Sequence, residues 1–172
     1  VAAKLDIPYY VLDYTESFSE KVVDNFIDMY AKGLTPNPCV ECNRSVKFDH
    51  FLKQAKKLNC EKVATGHYAK VVEKDETFEL HKADYLDKDQ SYVLHMLTSS
   101  TLENVMFPLG TISKPEVRQI AADLGLKTAF KKDSQDICFV GKKNYRNFVD
   151  KRIDISTSGE IVNSDGSTMG QH

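Results

Sequence analysis

Thr35-Pro36-Asn37-Pro38-Cys39-Val40-Glu41-Cys42-Asn43-Arg44-Ser45-Val46-Lys47-Phe48 is a proline-stiffened loop that runs into a helix, and it decides how the rest of the chain is read. Two prolines push the residues before them towards extended backbone, so the approach to Cys39 cannot be helical. Downstream, Val46, Phe51, Leu52, Ala55 and Leu58 recur at near-helical spacing, which predicts a helix from Cys42 or Asn43 to about Leu58. A cysteine pair thereby falls at a helix N-terminus. There the unpaired N–H groups, helped by Arg44 and Lys47, are expected to favour thiolate over thiol.

Working outward, Pro8 to Leu12 is an apolar run of strand length. Ser17 and Glu20 have capping-box spacing for a helix that carries Val22, Val23, Phe26, Ile27 and Tyr30 inward and stops at Gly33. Lys62 to Thr65 reads as a buried strand leading straight into Gly66-His67-Tyr68. This order of strands and helices is the grammar of an α/β fold, in which ligands sit beyond the carboxyl ends of the strands. Residues 69–74 and 77–81, separated by Asp75-Glu76, predict a hairpin appended to the sheet.

From Asp84 the pattern turns helical: a polar entry at 87–92, a helix from Tyr92 to Leu97, a short one from Thr101 to Met106, and a strong start at Ser113-Lys114-Pro115-Glu116. That last helix is expected to turn Val117, Ile120, Ala121 and Leu124 inward and to end at Gly125. Residues 131–141 form a polar loop entering a short apolar strand that holds Cys138, followed by a basic helix at about 143–151. Residues 158–166 read as the first hairpin of a new β-unit. Val1-Ala2-Ala3-Lys4-Leu5-Asp6-Ile7-Pro8 resembles the end of a helix entering a strand, so the chain is expected to be a fragment.

Composition narrows the classes. With 172 residues, 41% hydrophobic and 28% charged, the chain can bury a core as an ordinary globular protein. No apolar run reaches membrane-span length. Cys39, Cys42, Cys60 and Cys138 do not form a secreted disulfide framework, and a reducing, cytoplasmic setting is expected. The net charge of −2 hides an uneven distribution. Residues 1–30 set two lysines against six carboxylates, whereas residues 127–152 set eight basic side chains against three acidic ones. A polyanion can dock on the second region, although such runs commonly form a solvated face.

The chemistry of the cysteines stays open at this level. Cys39-Val40-Glu41-Cys42 is compatible with a dithiol redox pair, half of a metal site, or a nucleophile with a neighbour. No second pair is spaced for a zinc ribbon, and a thioredoxin-type motif would follow a strand rather than a helix and a proline-rich loop. Cys60 reads as structural. By itself Cys138 reads equally as core or catalyst, and His67 as a hydrogen-bonded histidine near the sheet edge.

Taken together, Thr35-Pro36-Asn37-Pro38 with Cys42-Asn43, then Lys47-Phe48, Ala64-Thr65-Gly66-His67-Tyr68, Lys88-Asp89-Gln90-Ser91-Tyr92, and Asp133-Ser134 through Ile137-Cys138-Phe139-Val140-Gly141 closely resemble the tRNA-specific 2-thiouridylase family, of the PP-loop ATP pyrophosphatase superfamily. The resemblance runs over essentially the whole chain, in order and spacing. It implies a partial Rossmann-like sheet of the adenine nucleotide alpha hydrolase type over residues 1–155, with a helical tRNA-binding portion at about 84–132. Residues 156–172 would then be the first strands of a truncated β-domain.

The resemblance further implies ATP-dependent 2-thiolation of the wobble uridine in tRNAs for Lys, Glu and Gln. ATP, with Mg2+, adenylates the C2 oxygen of the uracil, and a persulfide sulfur relayed from a cysteine desulfurase replaces it. On motif matching, Cys138 would carry the persulfide and Cys42 would be the nucleophile, the two closing a disulfide as sulfur leaves. Asn37, Pro38 and Cys39 would face the target base, Gly66 would line the ATP site, and His67, Lys88, Asp89 and Gln90 would contact tRNA.

Two departures from the family pattern stand out. The phosphate-binding Ser-Gly-Gly-x-Asp-Ser signature is absent from these 172 residues, so this chain alone is expected to be inactive. Cys39 occupies a position where many members have Asp. With Cys39, Cys42 and Cys138 converging, a rival reading is an iron–sulfur or other metal-binding module with an open iron in a [4Fe-4S] cluster.

Overall fold

Two helical runs and a β-hairpin enclose the core, and the computed structural model describes residues 1–131, 137–141, 145–153 and 158–171. Helix α1 is the short Ala2–Leu5. Residues 7–14 then form neither helix nor strand, so the strand expected at Pro8 to Leu12 is absent. Tyr9, Tyr10 and Val11 remain exposed there. An extended apolar segment becomes a strand only when a partner satisfies its backbone groups, and none of the described strands lies beside it.

Helix α2 covers residues 15–31, with a π-helical stretch Ser19–Asp24 in its middle. Its start is set by Asp13, whose Oδ1 accepts the Thr15 N–H at 2.9 Å and the Thr15 hydroxyl at 2.6 Å. The expected Ser17 and Glu20 cap is therefore not used, and Ser17 Oγ instead bonds His50 Nε2 at 3.0 Å. The apolar stripe is as expected, with Val22, Phe26 and Ile27 buried. Gly33, at φ 71°, closes the helix, with the Leu34 N–H reaching the Met29 carbonyl as a left-handed C′ residue allows.

Helix α3 covers residues 38–57: α-helical over Pro38–Glu41, π-helical over Cys42–Phe48 and α-helical again over Asp49–Lys57. It begins four residues earlier than its apolar periodicity implies. Pro38 occupies the first helical position, where its missing N–H costs nothing, and Asn37 is the N-cap. The wider π-turn shifts the phase of everything beyond it. Val46, Phe48 and Ala55 are buried, whereas Phe51 and Leu58 of the expected stripe are exposed.

Strand β1 (Val63–Ala64) pairs in parallel with β4 (Val105–Met106), and β2 (Ala69–Lys74) pairs antiparallel with β3 (Thr77–Lys82). The parallel pair corrects the helix expected up to Met106: α4 spans only Ser99–Leu102, capped by Thr98. Likewise Tyr92 to Leu97 is no helix but a 3-10 turn, Ser91–Val93, and further turns. Both segments are short apolar runs, in which periodicity alone does not separate strand, turn and helix. At the β2–β3 tip, Asp75 and Glu76 take positive φ of 47° and 61°, as a two-residue hairpin turn requires.

The central cluster comprises Phe48, Ala69, Val93, Leu94, Leu102, Val105 and Phe107, with Val40 and Leu52 of α3 packed against it. Gly110 locks the hairpin to this core, since a Cβ there would overlap the Ala69 carbonyl. Helix α5 (Lys114–Asp123) has the expected capping box between Ser113 and Glu116. It lies on the surface, however, with Ile120 and Leu124 exposed rather than inward, because no described element covers that face. Helix α6 is Tyr145–Asp150, and β5 (Glu160–Val162) pairs antiparallel with β6 (Thr168–Gln171) as the expected terminal hairpin. None of the helices is long and apolar enough to cross a membrane, among the described residues. The polar loop at 132–136, the start of the basic helix at 142–144 and the domain boundary at 155–156 lie outside the described residues.

Candidate functional site

The site forms where the first two turns of α3 meet the turn that carries Cys138. Asn37 Oδ1 accepts the Cys39 N–H at 3.1 Å, placing Cys39 second in the helix and Cys42 three residues on. Residues at that spacing share one helix face. The Cys39 side chain is exposed and that of Cys42 is half-buried. Pro38 is buried, so it sets the helix start, while Asn37 and Cys39 present themselves to solvent.

Cys138 stands exposed in a turn at residues 138–141, not in the short strand expected there. Its neighbour Phe139 is the anchor. The Phe139 ring lies 5.7 Å from Phe18, 5.3 Å from Phe26 and 5.4 Å from Phe148, in tilted and edge-on arrangements that aromatic pairs favour. The phenylalanine therefore plugs the turn onto α2 and α6, and the turn holds Cys138 close enough for its charge to act on both Cys39 and Cys42. The three thiols that sequence separated by about a hundred positions share one locale.

Their protonation differs from expectation. Burial pushes the Cys39 thiol up, the Cys138 charge adds to this, and Lys47 opposes it. Burial likewise pushes the Cys42 thiol up; Lys47 opposes, and Cys138, Cys39 and Glu41 add to the rise. The expected thiolate preference at the helix N-terminus fails for structural reasons. The helix begins earlier, Asn37 already takes the Cys39 N–H, and Cys42 sits in the second turn, beyond the strongest part of the dipole. Arg44 is diverted as well, with its guanidinium held by Glu41 at 2.8–3.2 Å. Among the described residues, Lys47 is the cation that favours the charged form of both thiols.

Lys47 also faces His67. That ring lies between Phe48 and Phe107, with centroids 6.2 and 6.0 Å away, and its Nδ1 is 2.8 Å from the Thr65 hydroxyl. Burial, reinforced by Lys47, lowers its pKa to about 4, so the ring is neutral at physiological pH. Gly66 is exposed just past the carboxyl end of β1; a Cβ there would touch only Leu109 Cδ1 at 3.7 Å. The remaining sequence candidates are built inward. Gln90 exchanges two hydrogen bonds with Tyr68, its Oε1 accepting the Tyr68 N–H at 3.1 Å and its N–H reaching the Tyr68 carbonyl at 2.8 Å. Asp89 accepts the Ala83 N–H at 2.8 Å and the Ser91 hydroxyl at 2.6 Å. Lys88 is half-buried beside them.

Two contributors escaped sequence reasoning. Asn43, only 2% exposed, donates from Nδ2 to the Val93 carbonyl at 3.0 Å and so ties the cysteine helix to the turn after Gln90. A polar residue at an inward helical position was its one available signal. Phe139 was legible as apolar but not as a long-range anchor. Cys60, read as structural, is exposed beyond the end of α3, its Sγ 3.8 Å from the Leu58 carbonyl. As to the metal-binding rival, no group of three or more His, Cys, Asp and Glu side chains is disposed to hold an ion, among the described residues.

Residues 1–142 match the family model described as the tRNA methyl transferase HUP domain. Among curated proteins, the chain is 49% identical over 173 aligned positions to the tRNA-specific 2-thiouridylase MnmA of Rickettsia peacockii (strain Rustic), 48% to that of Rickettsia africae (strain ESF-5), and 49% to that of Rickettsia bellii (strain OSU 85-389). Each alignment takes in 100% of this chain and 47% of the relative. The chain thus spans about half the length of the curated relatives it matches.

Proposed function

The chain belongs to the tRNA methyl transferase HUP domain family, and from that premise we propose that its full protein catalyses ATP-dependent 2-thiolation of the wobble uridine of tRNAs for Lys, Glu and Gln. The observation that carries the reading is that Cys42 lies within range of the charges of both Cys138 and Lys47, with the Cys138 turn anchored by Phe139 against α2. One thiol is exposed on a turn, where a donor protein can reach it, and the other is half-buried beside it.

In this reading Cys138 accepts a persulfide sulfur from a cysteine desulfurase relay. ATP, with Mg2+, converts the uracil C2 oxygen into an adenylate, releasing pyrophosphate. Cys42 loses its proton and attacks the Cys138 sulfur, forming the Cys42–Cys138 disulfide and releasing the outer sulfur as sulfide. That sulfide adds at C2 and AMP departs. The two electrons that reduce the sulfur come from the two thiols. Lys47 stabilises whichever thiolate is present, and raised thiol pKa values keep Cys42 protonated until it is needed.

An extruded base is received by Asn37 and Cys39, with Pro38 fixing the helix start behind them. Gly66 offers backbone at the strand end to the nucleotide. His67 acts as a neutral ring, Lys88 supplies charge to the tRNA, and Asp89 and Gln90 contribute by holding the shape of the loop. The test is thiouridine formation by the full-length protein, read by mass spectrometry of digested tRNA. Cys42→Ser and Cys138→Ser are each expected to abolish it with the fold intact, and Cys60→Ser to retain it. Activity in either of the first two overturns the assignment. The 172-residue chain alone, which lacks Ser-Gly-Gly-x-Asp-Ser, is expected to form none.

A further inference from the structure

The reaction above leaves its two thiols joined, and Cys39 without a part in the sulfur chemistry. Cys39 lies one helical turn from Cys42 on the same face of α3, its side chain exposed. Cβ atoms at this spacing are roughly 5–6 Å apart, and a disulfide needs about 3.5–4.5 Å. Closing such a gap moves chiefly Cys39, whose N–H is held by the Asn37 side chain at 3.1 Å rather than by a carbonyl of the helix. Cys138, in the turn pinned by Phe139, is near enough for its charge to act on the same two thiols.

We infer that Cys39 is a resolving thiol: it attacks Cys42 in the Cys42–Cys138 disulfide and returns Cys138 to the free state while the latter is still seated in the site. Cys39 gives its proton to solvent, and its sulfur bonds to Cys42 Sγ. The Cys42–Cys138 bond breaks, and Cys138 leaves as a thiolate that takes up a proton. Electrons balance within the protein, because one disulfide is exchanged for another. An external dithiol, small-molecule or protein, then reduces Cys39–Cys42.

Solvent exposure of Cys39 suits the later step, in which a reductant must reach the pair. A carboxylate at position 39 could not perform this exchange.

The inference rests on the proposed Cys42–Cys138 disulfide, but its test needs no tRNA, so the two can fail separately. Full-length protein is treated with one equivalent of diamide, quenched with iodoacetamide at successive times, and its disulfides mapped by peptide mass spectrometry. In wild type, Cys42–Cys138 is expected to appear first and decay into Cys39–Cys42, with Cys138 regaining alkylation as Cys39 loses it. Cys39→Ser is expected to arrest at Cys42–Cys138, and Cys39→Ala to behave alike. The inference is overturned if wild type retains Cys42–Cys138 with Cys39 alkylated throughout, or if the end state is Cys39–Cys138. A failure of the thiolation reading would appear instead as absent thiouridine despite normal exchange.

Discussion

Replacing His67 by Phe should flatten the acid side of the protein's stability profile. The ring sits between Phe48 and Phe107 with its pKa lowered from 6.5 to about 4, burial being the main cause and Lys47 the second. A histidine depressed in the folded state binds its proton more readily when unfolded. Its contribution is therefore fully present above pH 6.5 and is lost as pH falls towards 4. Between pH 7 and pH 5 the full shift would remove about 2 kcal/mol. Solvent reaches part of the ring and screens the penalty, which brings the figure to about 1 kcal/mol. The assay is urea unfolding of full-length protein at both pH values. Wild type is expected to lose about 1 kcal/mol more than His67→Phe on acidification, a difference from which the other histidines cancel. Equal losses would mean that the ring is not held neutral, and the pocket described for it would be wrong.

Three further outcomes are expected. Lys47→Gln removes a cation that lowers the Cys39 and Cys42 thiols, so iodoacetamide should modify both more slowly at pH 8, with Cys60 as an internal reference; unchanged rates would remove Lys47 from the site. Phe139→Ala withdraws the plug between Phe18, Phe26 and Phe148, at about 2 kcal/mol for a half-buried ring, and should slow diamide-driven Cys42–Cys138 formation, whereas Phe139→Leu keeps most of both. Gly110→Ala forces a Cβ into the Ala69 carbonyl and should cost about 3 kcal/mol or more, measurable as a lowered Tm; a neutral result would mean the hairpin is not seated as described.

Local signals in the sequence held where no distant side chain competed for them, and the Ser17 and Glu20 cap failed where His50 takes the Ser17 hydroxyl. The Ser113 and Glu116 capping box, the Gly33 stop and the Asp75-Glu76 hairpin each depend on a few consecutive residues, and each was legible. Errors fell where tertiary context decides. Val105 and Met106 are strand because β1, whose Val63 pairs with Val105 from a distant part of the chain, lies beside them. Residues 8–12 have the composition of a strand but no described partner. Of the stripe expected on α3, Val46, Leu52 and Ala55 face the core, but at the end of the π-turn Phe48 is buried in place of Phe51, and no periodicity rule built on a 3.6-residue repeat contains that shift.

The site divides in the same way, and the division bears on mechanism. Residue types were legible, since cysteines near a proline-capped helix and a histidine past a strand are chemically conspicuous. Their states were not, because protonation is set by burial and by charges from other elements. A helix N-terminus alone argues for thiolates; the folded arrangement keeps Cys39 and Cys42 above the ordinary thiol range. Asp89 and Gln90 look like solvent-facing recognition residues, yet their side chains are spent on Ala83, Ser91 and Tyr68. Through Asn43 and Val93, the same loop is tied to α3. A nucleic acid that pressed on the Lys88 to Gln90 turn would therefore push against the helix bearing Cys42, coupling substrate docking to thiol geometry through one buried amide. Asn43→Leu, which breaks that tie, should leave tRNA affinity nearly intact while lowering the thiolation rate; equal losses in both would reduce Asn43 to a packing residue.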